Sequence, residues 1–113
     1  MIDISDGIAL FNESDFFAAH DFFEDIWMEA ERDEKEFFQG LVQISVGCYH
    51  LICGNKKGAK SQLQKGSNKL QNYESGYYNI DLSSLNQKIV YLINNIDIKS
   101  KIEKEIPTIE LTN

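Results

Sequence analysis

His20 and Glu24 stand four residues apart in the stretch DFFAAHDFFEDIW, whose apolar residues recur at helical spacing. Side chains at i and i+4 meet on one face of a helix. A histidine held by a carboxylate has its tautomer set and its basicity raised, which suits general-base work. Trp27 and Glu31 continue the same line, beside an apolar stripe of Phe16, Ala19, Phe23, Ile26 and Ala30. His20 and Trp27 are therefore expected to be half buried.

A second polar set lies in EFFQGLVQISVGCYHLIC, residues 36–53, the longest apolar run of the chain. At about 100° per residue, Gln39, Gln43 and His50 fall within about 40° of one another. They form one narrow strip on an otherwise apolar rod. If the helix carrying His20 packs beside this rod, His20 and Glu24 approach Gln43 or His50. The expected function is a binding or interaction module that uses this strip between the second and third helices, with Trp27, Gln39, Gln43 and His50 contacting a ligand; the alternatives are a small enzyme with the His20–Glu24 pair as general base, or a metal-binding protein. The plainer expectation is a hydrogen-bonded histidine joining two helices, with the glutamines meeting buried polar needs.

Metal chemistry has the right ligand types in His20, Glu24 and His50 but not the right pattern. The di-iron bundle signature needs two Glu-x-x-His segments. Here Phe17 stands three residues before His20, and Gly47 three before His50. Neither HExxH nor a paired CxxC occurs. No metal or other cofactor is expected. A third locus is GNKKGAK, residues 54–60. Asn55, Lys56 and Lys57 at a helix start would suit a phosphate or carboxylate through free amides and positive charge. The GxxxxGK[ST] spacing fails, so this is not a P-loop; the plain alternative is a polar turn with solvated lysines.

The elements that must position these residues follow from composition and periodicity. One proline and seven glycines in 113 residues favour long helices over a loop-rich β fold. The expectation is an all-α bundle of about five helices forming a single domain over residues 1–113, with residues 97–113 less ordered. Helices are expected near residues 3–13, 15–31, 36–53, 57–73 and 83–95. Arg32–Lys35 read as a short polar connection, and Pro107 as the end of a frayed last helix. The terminal TIELTN reads as extended. Gly58 and Gly66 weaken the fourth helix, which is tolerable where a neighbouring backbone approaches closely.

No run of about 18 uninterrupted apolar residues exists, which excludes a membrane-spanning helix. No charged start followed by an apolar stretch marks a secretion signal. Cys48 and Cys53 sit about 140° apart around one helix, so they cannot bridge each other. Two buried thiols fit a reducing cytoplasm. Net charge is −7, divided unevenly: residues 1–36 carry −10 and residues 37–113 carry +3. So acidic a chain should not bind nucleic acid non-specifically. The asymmetry favours packing of the two halves, or head-to-tail contact in a homo-oligomer. The partner is expected to be a small ligand or a protein.

A shift of 40 residues aligns Phe11 with Leu51, Asp15 with Asn55, Ala19 with Ala59 and Phe23 with Leu63. Both copies read as helix, tight turn, helix, which resembles the tetratricopeptide type of helical hairpin at a longer spacing.

The segments LFNESDFFAAHDFFEDIW and FFQGLVQISVGCYHLICGNKKGAKSQLQKGSNKL together resemble the domain of unknown function 309 family of small prokaryotic helical proteins. Its pattern is His-Glu-x-x-Glu-x-x-Trp, then Gln-Gly-Leu-x-Gln, then Gly-Asn-x-x-Gly-Ala. These fall on His20, Glu24 and Trp27, on Gln39, Gly40, Leu41 and Gln43, and on Gly54, Asn55, Gly58 and Ala59. Asp21 stands in place of the glutamate after the histidine, a carboxylate on an arm one methylene shorter. The resemblance implies an all-α fold and no particular activity.

Overall fold

The 21-residue helix Arg32–Ile52 lies at the centre because apolar side chains cover much of its circumference. Phe37, Phe38, Leu41, Ile44, Cys48 and Leu51 are all buried along it. The computed structural model describes residues 1–112; Asn113, the last residue of the TIELTN segment expected to be extended, lies outside them. In chain order the helices are α1 (Ser5–Asn12), α2 (Phe16–Glu29), α3 (Arg32–Ile52), α4 (Lys56–Leu70) and α5 (Leu82–Asn95). Short 3₁₀ turns occupy Tyr77–Asn79 and Ile102–Glu105. Each helix packs on the next one in the chain, and α3 has the most extensive contacts, with α2 on one side and α4 on the other. Among the described residues there is no strand, only an isolated antiparallel bridge between Ile80 and Leu111. The all-α expectation holds.

α3 starts earlier than its apolar periodicity indicates. Arg32–Lys35 belong to its first turn, and the link from α2 is just Ala30 and Glu31, both extended. Asp33 and Glu34 suit the positive end of the helix dipole. The Tyr73 hydroxyl, from the segment after α4, latches this turn. It accepts from the Phe37 N–H at 3.0 Å and donates to the Asp33 carbonyl at 3.2 Å. The Lys35 ammonium closes the other side of the link. It donates to the Trp27 and Met28 carbonyls at 2.9 and 3.2 Å, and lies 5.4 Å from the centre of the Trp27 ring.

α3 and α4 are antiparallel and cross at close range. A methyl group on Gly40 would lie 2.9 Å from Leu70 Cδ2, and one on Gly66 would lie 2.9 Å from the Gly40 carbonyl oxygen. Further along, a methyl on Gly47 would meet Leu63 at 2.7 Å. Gly66 is thus required by an approaching backbone, as its place in a helix interior suggests. Gly58 is different, since side chains crowd it.

The 40-residue repeat appears in the turns bond for bond. Asp15 accepts from the Ala18 N–H, and Asn55 accepts from the Gly58 N–H. The Asp15 N–H reaches the Leu10 carbonyl at 2.9 Å, and the Asn55 N–H reaches the His50 carbonyl at 2.8 Å. Ser14 and Gly54, preceding the two caps, both have positive φ, 66° and 81°. The two helical hairpins share one turn geometry.

The chain end folds back on the first helix. The Asn12 amide accepts from the Ile109 N–H at 2.7 Å and donates to the Ile109 carbonyl at 3.0 Å. Ile102, Pro107 and Ile109 are buried. No helix among the described residues is long and apolar enough to cross a membrane.

Candidate binding site

The antiparallel packing of α2 on α3 brings His20 beside the C-terminal half of α3. Phe17 and His20 on α2, with Val46, Tyr49 and His50 on α3, enclose a cleft of about 220 Å³. Its walls are largely ring faces and edges. The Phe17 ring lies 5.7 Å from the His20 ring and 5.6 Å from the Tyr49 ring, both edge-on. Tyr49 and His50 follow at 6.3 Å. Edge-to-face packing at these separations is favourable for aromatic groups.

Each histidine is oriented by groups of its own neighbourhood. His20 Nδ1 is 3.2 Å from Asp21 Oδ1, and its Nε2 is 3.4 Å from Glu24 Oε2. The aspartate in place of the family glutamate therefore still reaches the imidazole. His50 lies in the last turn of α3, with its Nδ1 3.3 Å from the Asn55 amide nitrogen. The Asn55 amide oxygen meanwhile accepts from the Gly58 N–H at 3.0 Å, capping α4. Gly54 makes the turn at φ 81°. Gly58 leaves room for the pair, since a methyl there would lie 2.7 Å from Asn55 Nδ2 and 3.1 Å from His50 Cδ2. Ala59 is buried behind them. The run Gly54, Asn55, Gly58, Ala59 is a device that turns the chain, caps α4 and holds His50.

Residues 4–62 match the family model of domain of unknown function 309 (DUF309). The chain belongs to this family. No curated protein matches it. The DUF309 segment covers α1, α2, α3 and the first part of α4, and every motif position quoted above falls within it.

The other expected DUF309 site residues disperse. The Gln43 amide oxygen accepts from the Lys69 ammonium of α4 at 2.9 Å, so Gln43 serves the α3–α4 side. Gln39 is half buried, with no hydrogen bond from its side chain among those described. Trp27 is half buried under Lys35 at the α2–α3 link. His20 and His50 alone of the predicted set border the cleft. At the start of α4, Lys56 and Lys57 are exposed, and the Asn55 side chain is engaged by Gly58 and His50.

Phe17, Val46 and Tyr49 escape a reading based on polar residues. The signal for the two aromatic residues is a ring outside the buried stripe: Phe17 is 55% exposed while its neighbour Phe16 is buried. Cys53 is exposed, against the expectation of two buried thiols. It is the C-cap of α3, in an exposed turn rather than within the packed length of the helix. Contact with the Cys53 thiol pushes the Tyr49 hydroxyl above its ordinary pKa, first through the hydrogen bond between them. Cys48 is fully buried, and burial raises its thiol well above the normal range.

A larger, open depression of about 1170 Å³ lies near the N-terminus, edged by Ile2, Asp25, Met28, Glu29, Glu31 and Glu34. It contains none of the motif residues. The histidine cleft is the better candidate because polar groups with fixed partners converge on a concave apolar surface there.

Proposed function

We propose that this DUF309 protein is a binding module that takes a small apolar group into the cleft between α2 and α3. The observation that supports this reading is the convergence of His20 and His50, from different helices, on one apolar-walled space. Each imidazole is held from outside that space, by Asp21 and Glu24 or by Asn55. The volume decides the scale of the occupant. At about 220 Å³ the cleft is smaller than the roughly 300–1,000 Å³ of a drug-sized ligand site. It fits a single ring or branched aliphatic group, free or as the side chain of a protein partner. A free exposed thiol at Cys53 supports placing the protein in the reducing cytoplasm.

General-base catalysis by His20 is the competing reading, favoured by its contact with Glu24. It is the weaker one, because both ring nitrogens of His20 face carboxylates. A base needs one nitrogen free for its substrate. The test is an NMR fragment screen on wild type and Val46→Trp, which fills the cleft. Small aromatic and branched aliphatic fragments should shift the Phe17, Tyr49 and His50 resonances in wild type and lose that effect in the variant. Fragments that leave those resonances unmoved, or that bind Val46→Trp equally well, would sink the proposal.

A further inference from the structure

We infer that Asn55 is a positioning residue that fixes the tautomer of His50, so that the cleft offers an N–H donor and prefers apolar ligands bearing a hydrogen-bond acceptor such as a carbonyl oxygen. This rests on the cleft being a binding site.

The two ends of an amide side chain have the same shape, so partners decide which end is which. The Gly58 backbone N–H can only donate. The Asn55 atom 3.0 Å from it is therefore the oxygen. The other end, an NH₂ with only hydrogens to offer, faces His50 Nδ1 at 3.3 Å. Nδ1 must accept, and a neutral imidazole that accepts at Nδ1 carries its proton on Nε2. A capping bond made for helix α4 thus sets the proton position on a histidine of α3. The backbone ties the pair a second time, through the Asn55 N–H to the His50 carbonyl at 2.8 Å.

His50 Nε2 has no protein partner among the described residues. His20 cannot supply the same donor, because its two nitrogens face Asp21 and Glu24. Of the two imidazoles that line the cleft, His50 is therefore the one with an N–H left for an occupant, at Nε2. In an apolar cleft, an occupant with no acceptor leaves that donor unsatisfied, which gives selectivity for carbonyl-bearing groups.

Asn55→Asp tests the assignment without removing the cap. Aspartate caps helices about as well as asparagine, but both of its carboxylate oxygens accept. The group facing His50 Nδ1 would then draw a proton onto that nitrogen. Long-range ¹H–¹⁵N correlation spectra of the imidazole rings read the protonated nitrogen directly. Wild type should show His50 protonated at Nε2 and bare at Nδ1; Asn55→Asp should show Nδ1 protonated, with an unchanged melting temperature. A wild-type ring protonated at Nδ1, or a variant ring identical to wild type, overturns the positioning role.

The ligand class is tested with acetophenone against ethylbenzene, two probes of similar shape that differ in the carbonyl. One net hydrogen bond corresponds to a preference of about three- to ten-fold. Acetophenone should bind wild type tighter by that factor, and Asn55→Asp should lose the preference when both are measured at about pH 9, where an imidazole carries a single proton. Equal binding of both probes to wild type overturns the inference while leaving the binding module intact. Failure of both probes to bind overturns the binding module and the ligand class, whereas the tautomer spectra judge the role of Asn55 separately.

Discussion

Replacing Gly66 by alanine should destabilise this protein even though alanine is the better helix former. The local effect is favourable: alanine in place of a mid-helix glycine gains about 1 kcal/mol. Against it stands the crossing of α3 and α4. The new methyl would sit 2.9 Å from the Gly40 carbonyl oxygen and 2.9 Å from Ile44 Cδ1 and Cγ1. The isoleucine can change rotamer, but the carbonyl belongs to the α3 backbone and cannot turn away. Relief requires the helices to part by roughly half an ångström, which loosens the packing of Ile44, Leu63 and Leu70, all buried there. Overpacking of this kind costs typically about 1–3 kcal/mol. The buried site and the backbone partner place it toward the upper end, for a net loss of about 1–2 kcal/mol. In a domain of this size each kcal/mol shifts the melting temperature by roughly 4–8 °C. Urea denaturation with a melting curve measures both. Ser61→Ala, on the exposed face of α4, is the control: it raises helix propensity without any contact and should be neutral or slightly stabilising. A Gly66→Ala protein as stable as wild type, or more so, would refute the close crossing of the two helices.

Two further predictions concern titration and thiol chemistry. Burial and then the hydrogen bond to Glu34 push the Tyr78 hydroxyl up to about 12, and burial also raises Tyr73 and Tyr77. The unfolded chain sheds these protons near pH 10 while the native state keeps them. Native stability should thus be unaffected below pH 10 and fall between about pH 10 and 12. Denaturation midpoints across that range should show the fall, and Tyr78→Phe should flatten it; stability that rises with pH there would contradict the burial of this cluster. A thiol-reactive dye should label Cys53 rapidly and Cys48 only on unfolding, since one is exposed and the other fully buried. Two equally fast thiols in the native protein would show that α3 is not packed as described.

The five helices are legible in the sequence because apolar spacing, cap residues and breakers are local signals. Asp15 caps α2 as its position before the apolar run FFAA suggests, and Asn55 caps α4 at the equivalent position of the 40-residue repeat. The buried line of Leu85, Ile89, Leu92, Ile93 and Ile96 follows directly from its periodicity. The start of α3 is not legible in this way. Arg32–Lys35 have no apolar pattern, and the groups that bind that turn are the Tyr73 and Tyr78 hydroxyls, from some 40 residues away.

The candidate site divides along the same line. His20 and Glu24 meet because they are four apart on one helix, and His50 and Asn55 meet because a tight turn separates them. These are short-range relations, and sequence spacing alone determines them. That His20 shares a cleft with His50, while Gln43 turns to Lys69, depends on which neighbour takes each face of α3. Helical phase sorts side chains into faces, but it does not assign those faces to partners. That assignment comes from close packing between elements distant in the chain, where glycines at the α3–α4 crossing draw α4 in and α2 is left to close over Val46, Tyr49 and His50.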